Sequence, residues 1–200
     1  MKTLATVLLG TNVLASSDLT RFTKSLQAAP LVLLYEGLPH QTWEPIGLAN
    51  ELLHKRWVTV HAFPFYESPL AISNTDQRAL RELLSDPSIY ALDAGGKLCG
   101  EFHPDFTVVW RGKKQICSLH LCMGCNEAKF TEENRSVHCG IQPACWTPLW
   151  DIWRPCARQR PPSRSMETAW KDGMRNELRM ERKKRPLSVD KADEFSDPPY

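Results

Sequence analysis

The chain has no run of 18 apolar residues, which excludes a conventional membrane-spanning helix. It also lacks a strong charge of one sign. Its formal net charge is +2, too small to imply a nucleic-acid partner by itself. A Gly-rich phosphate loop, a Gly-x-Ser-x-Gly elbow and a His-Glu-x-x-His motif are all missing. No internal repeat is visible. Cysteine is scarce in the first half, where Cys99 stands alone.

What is present fits one modest domain. Two hundred residues at 22.8 kDa allow one domain, or a small domain with a tail. Apolar residues make up 42% and charged residues 24%, enough of the former to bury a core. Charge is distributed unevenly. Residues 1–156 hold 14 Lys and Arg against 15 Asp and Glu, whereas residues 157–200 hold 11 against 8. The latter stretch opens with Arg160-Pro161-Pro162, closes with Pro198-Pro199-Tyr200 and has few aliphatic residues to offset ordering entropy. It reads as a basic, Pro-flanked, disordered tail on a globular domain spanning 17–156.

Residues 1–16 have two readings. Met1-Lys2, the apolar run Leu4–Ala15 and Val13-Leu14-Ala15 before Ser16 suit a signal peptide. Gly10, Thr11 and Asn12 interrupt that run, so a buried strand over Leu4–Leu9 is the alternative, with a helix following over Asp18–Gln27. Exported and cytoplasmic locations therefore stay equally open.

The body alternates between the two periodicities. Leu31–Tyr35 is a short apolar run bounded by Pro30 and Gly37, hence a buried strand. Pro45 suits a first helical turn, with Ile46, Ala49, Leu52 and Leu53 sharing a face. Trp57–Phe63 alternates as one strand. Asn74 with Gln77 resembles a capping box for a helix that Asp86-Pro87 ends. Phe106–Trp110 and Gln115–Cys122 flank Arg111-Gly112-Lys113-Lys114 as a hairpin. The expected fold is α/β or α+β: a small mixed sheet, two or three helices and a hairpin carrying a cysteine knuckle.

Six of the seven cysteines lie between Cys117 and Cys156. The sharpest unit is Cys122-Met123-Gly124-Cys125-Asn126. A Cys-x-x-Cys turn aims two thiolates at one point, Gly124 permits a tight backbone, and Asn126 tolerates a left-handed conformation. Cys99 and His103 offer a second pair upstream. The resulting Cys-x3-His-x18-Cys-x2-Cys spacing predicts a structural zinc site of Cys99, His103, Cys122 and Cys125. Other readings compete with it. Cys122 and Cys125 are a redox pair in a thiol–disulfide oxidoreductase if Cys122 has a lowered pKa, which Glu127 opposes. Disulfides suit an exported chain, although seven is an odd number. Cys117 beside Leu119 and Leu121 reads as plain core. Haem attachment requires His where Asn126 stands.

His120 shares a strand face with Cys122 and is a candidate ligand or proton carrier, while Glu101 and Asp105 flank His103 as groups able to orient its ring. Trp146, Trp150 and Trp153 with Cys145 and Cys156 read as an aromatic cap over one end of the core. Met166, Trp170, Met174 and Leu178 form a stripe with basic neighbours, so residues 166–185 offer a weak contact for an anionic surface.

Four blocks carry a resemblance: Leu34-Tyr35-Glu36-Gly37-Leu38-Pro39-His40-Gln41, Phe63-Pro64-Phe65-Tyr66-Glu67, Cys99-Gly100-Glu101-Phe102-His103-Pro104-Asp105, and Leu121–Glu127. Over roughly residues 31–130 the chain resembles small bacterial proteins of no established activity. In those proteins His often follows the second cysteine of the pair, and Asn126 departs from that. The resemblance implies that 99–125 acts as one unit.

Overall fold

The structure, a computed structural model, describes residues 16–92, 102–112 and 115–157. The expected Leu4–Leu9 strand, Cys99, Glu101, Lys113-Lys114 and the tail from 158 onward lie outside the described residues. Helix α1 covers residues 16–27. There follow β1 (Val32–Glu36), α2 (Pro45–His54), β2 (Trp57–Val60), β3 (Phe63–Tyr66), α3 (Asn74–Leu84), β4 (Tyr90–Ala91), β5 (Phe106–Arg111), β6 (Ile116–Cys122), β7 (Glu127–Glu132), β8 (Arg135–Ile141) and α4 (Trp146–Trp153).

The fold is α+β. Six strands form one sheet in the order β1-β5-β6-β7-β8-β4, and β2 with β3 forms a separate two-stranded ribbon. Every pairing is antiparallel, so the expected mixed sheet is a meander from β5 to β8 with β1 and β4 added at its edges. Four α-helices are present among the described residues, where two or three were expected.

Sequence explains most elements locally. Helix α3 begins one residue earlier than the Asn74–Gln77 pattern suggests. Ser73 is the cap, its Oγ accepting the Asp76 N–H at 3.0 Å and donating to Asp76 Oδ2 at 2.7 Å. Asp86 then caps a short 3-10 turn at Pro87–Ile89 by accepting the Ser88 N–H at 2.8 Å. The strand expected over Trp57–Phe63 is instead two strands. Val60 pairs with Phe63, leaving His61 and Ala62 as a two-residue turn. Both have positive φ, 45° and 76°, the twist a tight hairpin needs. Neither residue is the Asn or Gly that normally announces such a turn, so the alternation runs on through it.

One face of the large sheet builds the core. Cys117, Leu119 and Leu121 of β6 point into it with Val108, Phe130, Val137 and Cys139, and α1, α3 and α4 supply Phe22, Leu26, Leu80, Leu84, Leu149 and Trp153. Cys117 is thus the small core residue its neighbours suggested. Trp153 stacks on Phe106 at 4.5 Å and Trp146 packs against Trp153. The tryptophan segment therefore closes one end of the core, as the sequence suggested.

Candidate functional site

Period-two alternation puts Ser118, His120 and Cys122 on the opposite face of β6 from Cys117, Leu119 and Leu121. Register surrounds them with polar neighbours. Thr107 and Lys129 lie across from His120, Glu127 from Cys122, Thr131 from Ser118, and His138 from Lys129. Yet β6 is buried on both faces from Cys117 to Cys122. The cover over the polar face includes the β2–β3 ribbon, whose Phe65 ring stacks on His120 at 5.7 Å and whose Phe63 ring lies 5.0 Å from it. A second cover is Phe102, against Phe63 and His138.

His120 is fully buried. Its Nε2 shares a 2.9 Å hydrogen bond with Ser118 Oγ, and its Nδ1 has no partner among the described residues. Burial first, then the charges of His61 and Lys129, push its pKa down to about 3, so the ring is neutral at pH 7. His61 approaches edge-on at 6.2 Å from the strained turn, and burial lowers its pKa while a hydrogen bond to the Ile116 backbone opposes the shift. His138 Nε2 lies 3.3 Å from Glu127 Oε2, and Glu127 is itself buried.

The cysteine knuckle ends this face. Cys122 closes β6 and Glu127 opens β7, with Met123–Asn126 between them. Asn126 supplies the left-handed residue at φ 54°, as its side chain suggested. Gly124 does not use its freedom: a Cβ there meets nothing within 4 Å and its φ is ordinary. What fixes the knuckle is Asp105. Its carboxylate accepts the Met123 N–H at 2.8 Å, its own N–H donates to Leu121 O at 2.8 Å, and its carbonyl accepts the Gly37 N–H at 2.7 Å. Gly37 is required there, since a Cβ would stand 2.2 Å from the Pro104 carbonyl. Asp105 was read as a group able to orient the His103 ring; it orients the Cys122–Cys125 turn.

The four expected metal ligands are placed as follows. Cys122 is buried, and its sulfur accepts backbone N–H groups from both His103 and Cys125. The 102–105 segment and the knuckle therefore meet. His103 turns its ring to Leu38, Nε2 lying 3.0 Å from that carbonyl, and packs 4.5 Å from the His40 ring. Cys125 is disulfide-bonded. Cys117, Cys122, Cys139, Cys145 and Cys156 are free, so none of them is its partner. Cys99 lies outside the described residues. Among the described residues, no group of three or more His, Cys, Asp or Glu side chains is arranged to hold a metal ion.

Burial, and after it the Asp105 carboxylate, push the Cys122 thiol up to about 12 even though the two backbone N–H groups oppose the shift. A thiol so placed is protonated at neutral pH and is a poor attacking group. The β7–β8 hairpin was not foreseen from the sequence. Those strands bring Glu127, Lys129 and His138 to the site. Alternation of Ala128 and Phe130 with Glu127, Lys129 and Thr131 was the available signal.

No protein-family model, curated protein or solved structure matches this chain.

Proposed function

We propose that the reduced chain holds one structural zinc ion through Cys99, His103, Cys122 and Cys125, and that the protein is a binding or structural module built around that knuckle. The observation that carries this reading is the Cys122 sulfur. It accepts one backbone N–H from residue 103 and one from residue 125, so the backbone on either side of the predicted site meets at one atom, while the His103 ring itself lies against the Leu38 carbonyl. Backbone N–H groups aimed at a sulfur stabilise its thiolate form, which is the form that binds metal. By type, three sulfurs and one imidazole fit zinc. Cys125 can contribute only after its disulfide is reduced.

A bound zinc would cross-link the turn and lower the thiol pKa values by its own charge. The chain's own residues do the rest. Asp105 holds the turn through the Met123 N–H, and Asn126 lets the backbone reverse into β7. The rival is a thiol–disulfide oxidoreductase using Cys122 and Cys125, but the Cys125 disulfide does not join that pair, since Cys122 is free. That rival requires Cys122 to attack, and its thiol is pushed up to about 12.

Protein purified under reductant should carry about one zinc per chain, and Cys122→Ser should lose it. A chelator should lower the melting temperature of the reduced wild type and leave the oxidised protein unmoved. A reduced chain that binds no zinc and melts identically with chelator overturns the proposal. Insulin reduction that survives metal removal and vanishes in Cys122→Ser would establish the rival.

A further inference from the structure

The polar face of the large sheet carries a cluster that the zinc reading does not use. Ser118 and His120 stand two apart on β6, and the register puts Thr131 across from Ser118 and Lys129 across from His120. Alternation turns all four side chains to one face. The ribbon covers them, with Phe63 and Phe65 over His120 and the Lys129 ammonium 5.7 Å from the Phe63 ring. Ser118 and His120 are fully buried, and Thr131, although half-buried as a residue, has its Oγ1 shut off from water.

Two of these polar groups lack partners, and both can donate. The Ser118 hydroxyl has one partner among the described residues, His120 Nε2 at 2.9 Å. Its proton therefore goes to Nε2, and the ring proton sits on Nδ1. Nδ1 and Thr131 Oγ1 are both buried without a hydrogen-bond partner among the described residues. A buried donor left without an acceptor costs the desolvation of its group. Charge points the same way. No ion pair holds Lys129 among the described residues, and Glu127, the carboxylate on its own strand face, is turned to His138 at 3.3 Å. The charged groups that reach His120 are His61 and Lys129, with no carboxylate among them. Water would satisfy the ring and the hydroxyl but leave the ammonium unmatched, whereas an oxyanion satisfies all three. Entry breaks no ladder. Among the described residues the ribbon meets the strand beneath it through one isolated bridge, Gly37 to Phe65, and otherwise through side-chain packing.

We infer that Ser118, His120, Lys129 and Thr131 form a binding site for a small oxyanion, an inorganic one or the carboxylate of a small organic acid. Its oxygens accept from His120 Nδ1, Thr131 Oγ1 and the Lys129 ammonium, while Ser118 holds the ring in the tautomer that donates. None of the four is an expected metal ligand, so this inference is independent of the zinc reading.

Backbone amide shifts of the full chain, followed by NMR as phosphate, sulfate or acetate is added at pH 7 and constant ionic strength, test it. The amides of Ser118, His120 and Thr131 should shift and saturate. Saturation with phosphate or sulfate identifies an inorganic oxyanion, saturation with acetate a carboxylate, and either supports the inference. Lys129→Met should weaken binding about tenfold or more by removing the charge-assisted hydrogen bond, and Thr131→Val should weaken it severalfold. Thr131→Ser keeps the hydroxyl and should bind as wild type does. Wild type that shows no saturable shift with any of the three anions overturns the inference and leaves only water at these donors. Undiminished binding in both Lys129→Met and Thr131→Val also overturns it, placing the anion elsewhere, with the basic segment 158–200 the first place to look. Should Thr131→Val fail to fold, the wild-type titration and Lys129→Met, at a half-buried position, still decide.

Discussion

The two faces of β6 follow opposite rules although their residues alternate in one strand. On one face Cys117, Leu119 and Leu121 enter a mainly apolar core that three helices supply, with the Cys117 thiol donating to the buried Glu132 carboxylate at 3.8 Å at its edge. On the other, Ser118, His120 and Cys122 are equally buried, but beneath an aromatic ribbon and beside Lys129 and Glu127. The first face gains free energy by removing apolar surface from water. The second can be buried only where each polar group finds a partner or discharges. His120 shows the discharge, with its pKa lowered to about 3. Cys122 shows it too, with a thiol raised to about 12. A strand edge or a helix cap is generic, whereas a neutral, half-satisfied histidine under two phenylalanines is specific to this molecule.

Cutting into the apolar face should produce the largest effect. Trp153 is fully buried against Phe106 and Trp146, so Trp153→Ala should destabilise by about 3–5 kcal/mol in urea denaturation, with activity-independent loss of the cooperative transition. On the polar side, Asp105→Ala should cost about 1–3 kcal/mol by leaving the buried Met123 N–H unsatisfied. The same variant should lower zinc content of the reduced protein, whereas Trp153→Phe should not.

Acid sharpens the contrast. The folded-state pKa of His120 lies below its unfolded value, so the unfolded chain binds more protons between about pH 3 and about pH 6.5. Stability should therefore be fully present above about pH 6.5 and fall as pH drops below it, with a slope of up to about 1.4 kcal/mol per pH unit from this group. Melting curves at pH 7 and pH 5 should separate more for wild type than for His120→Phe. Equal separations would place the acid sensitivity elsewhere, with His61 the next group to substitute.

The smallest effect concerns the ribbon that covers the polar face. Ala62 occupies φ 76°, where a side chain is strained and glycine is not. Ala62→Gly should raise stability by a few tenths to about 1 kcal/mol, the relief of strain being offset in part by glycine's greater unfolded-state entropy. A net destabilisation would mean that the turn is held without strain.

Much of this was legible before the structure. Pro30, Pro45 and Asp86-Pro87 punctuated β1, α2 and α3 because proline's fixed φ and missing donor act locally. The β5–β6 hairpin and the cysteine knuckle were legible for the same reason, since turn chemistry and period-two alternation need no distant partner. The left-handed Asn126 was legible as well, and Gly124, equally suggestive, proved unnecessary.

What the sequence could not disclose was settled by packing between distant residues. The pattern of α2 specified an apolar stripe and left open which way it faces; the Glu51–Tyr66 bond turned it outward. Spacing specified two cysteines on one turn, while Asp105, 17 residues before Cys122, decided how that turn is pinned. His61 and His120 lie 59 positions apart and meet only because a strained hairpin folds over β6. Local propensities and periodicities are properties of a few neighbouring residues and are written in the chain. Burial, pKa and facing depend on what arrives from elsewhere, so only the assembled sheet and its covers decide them.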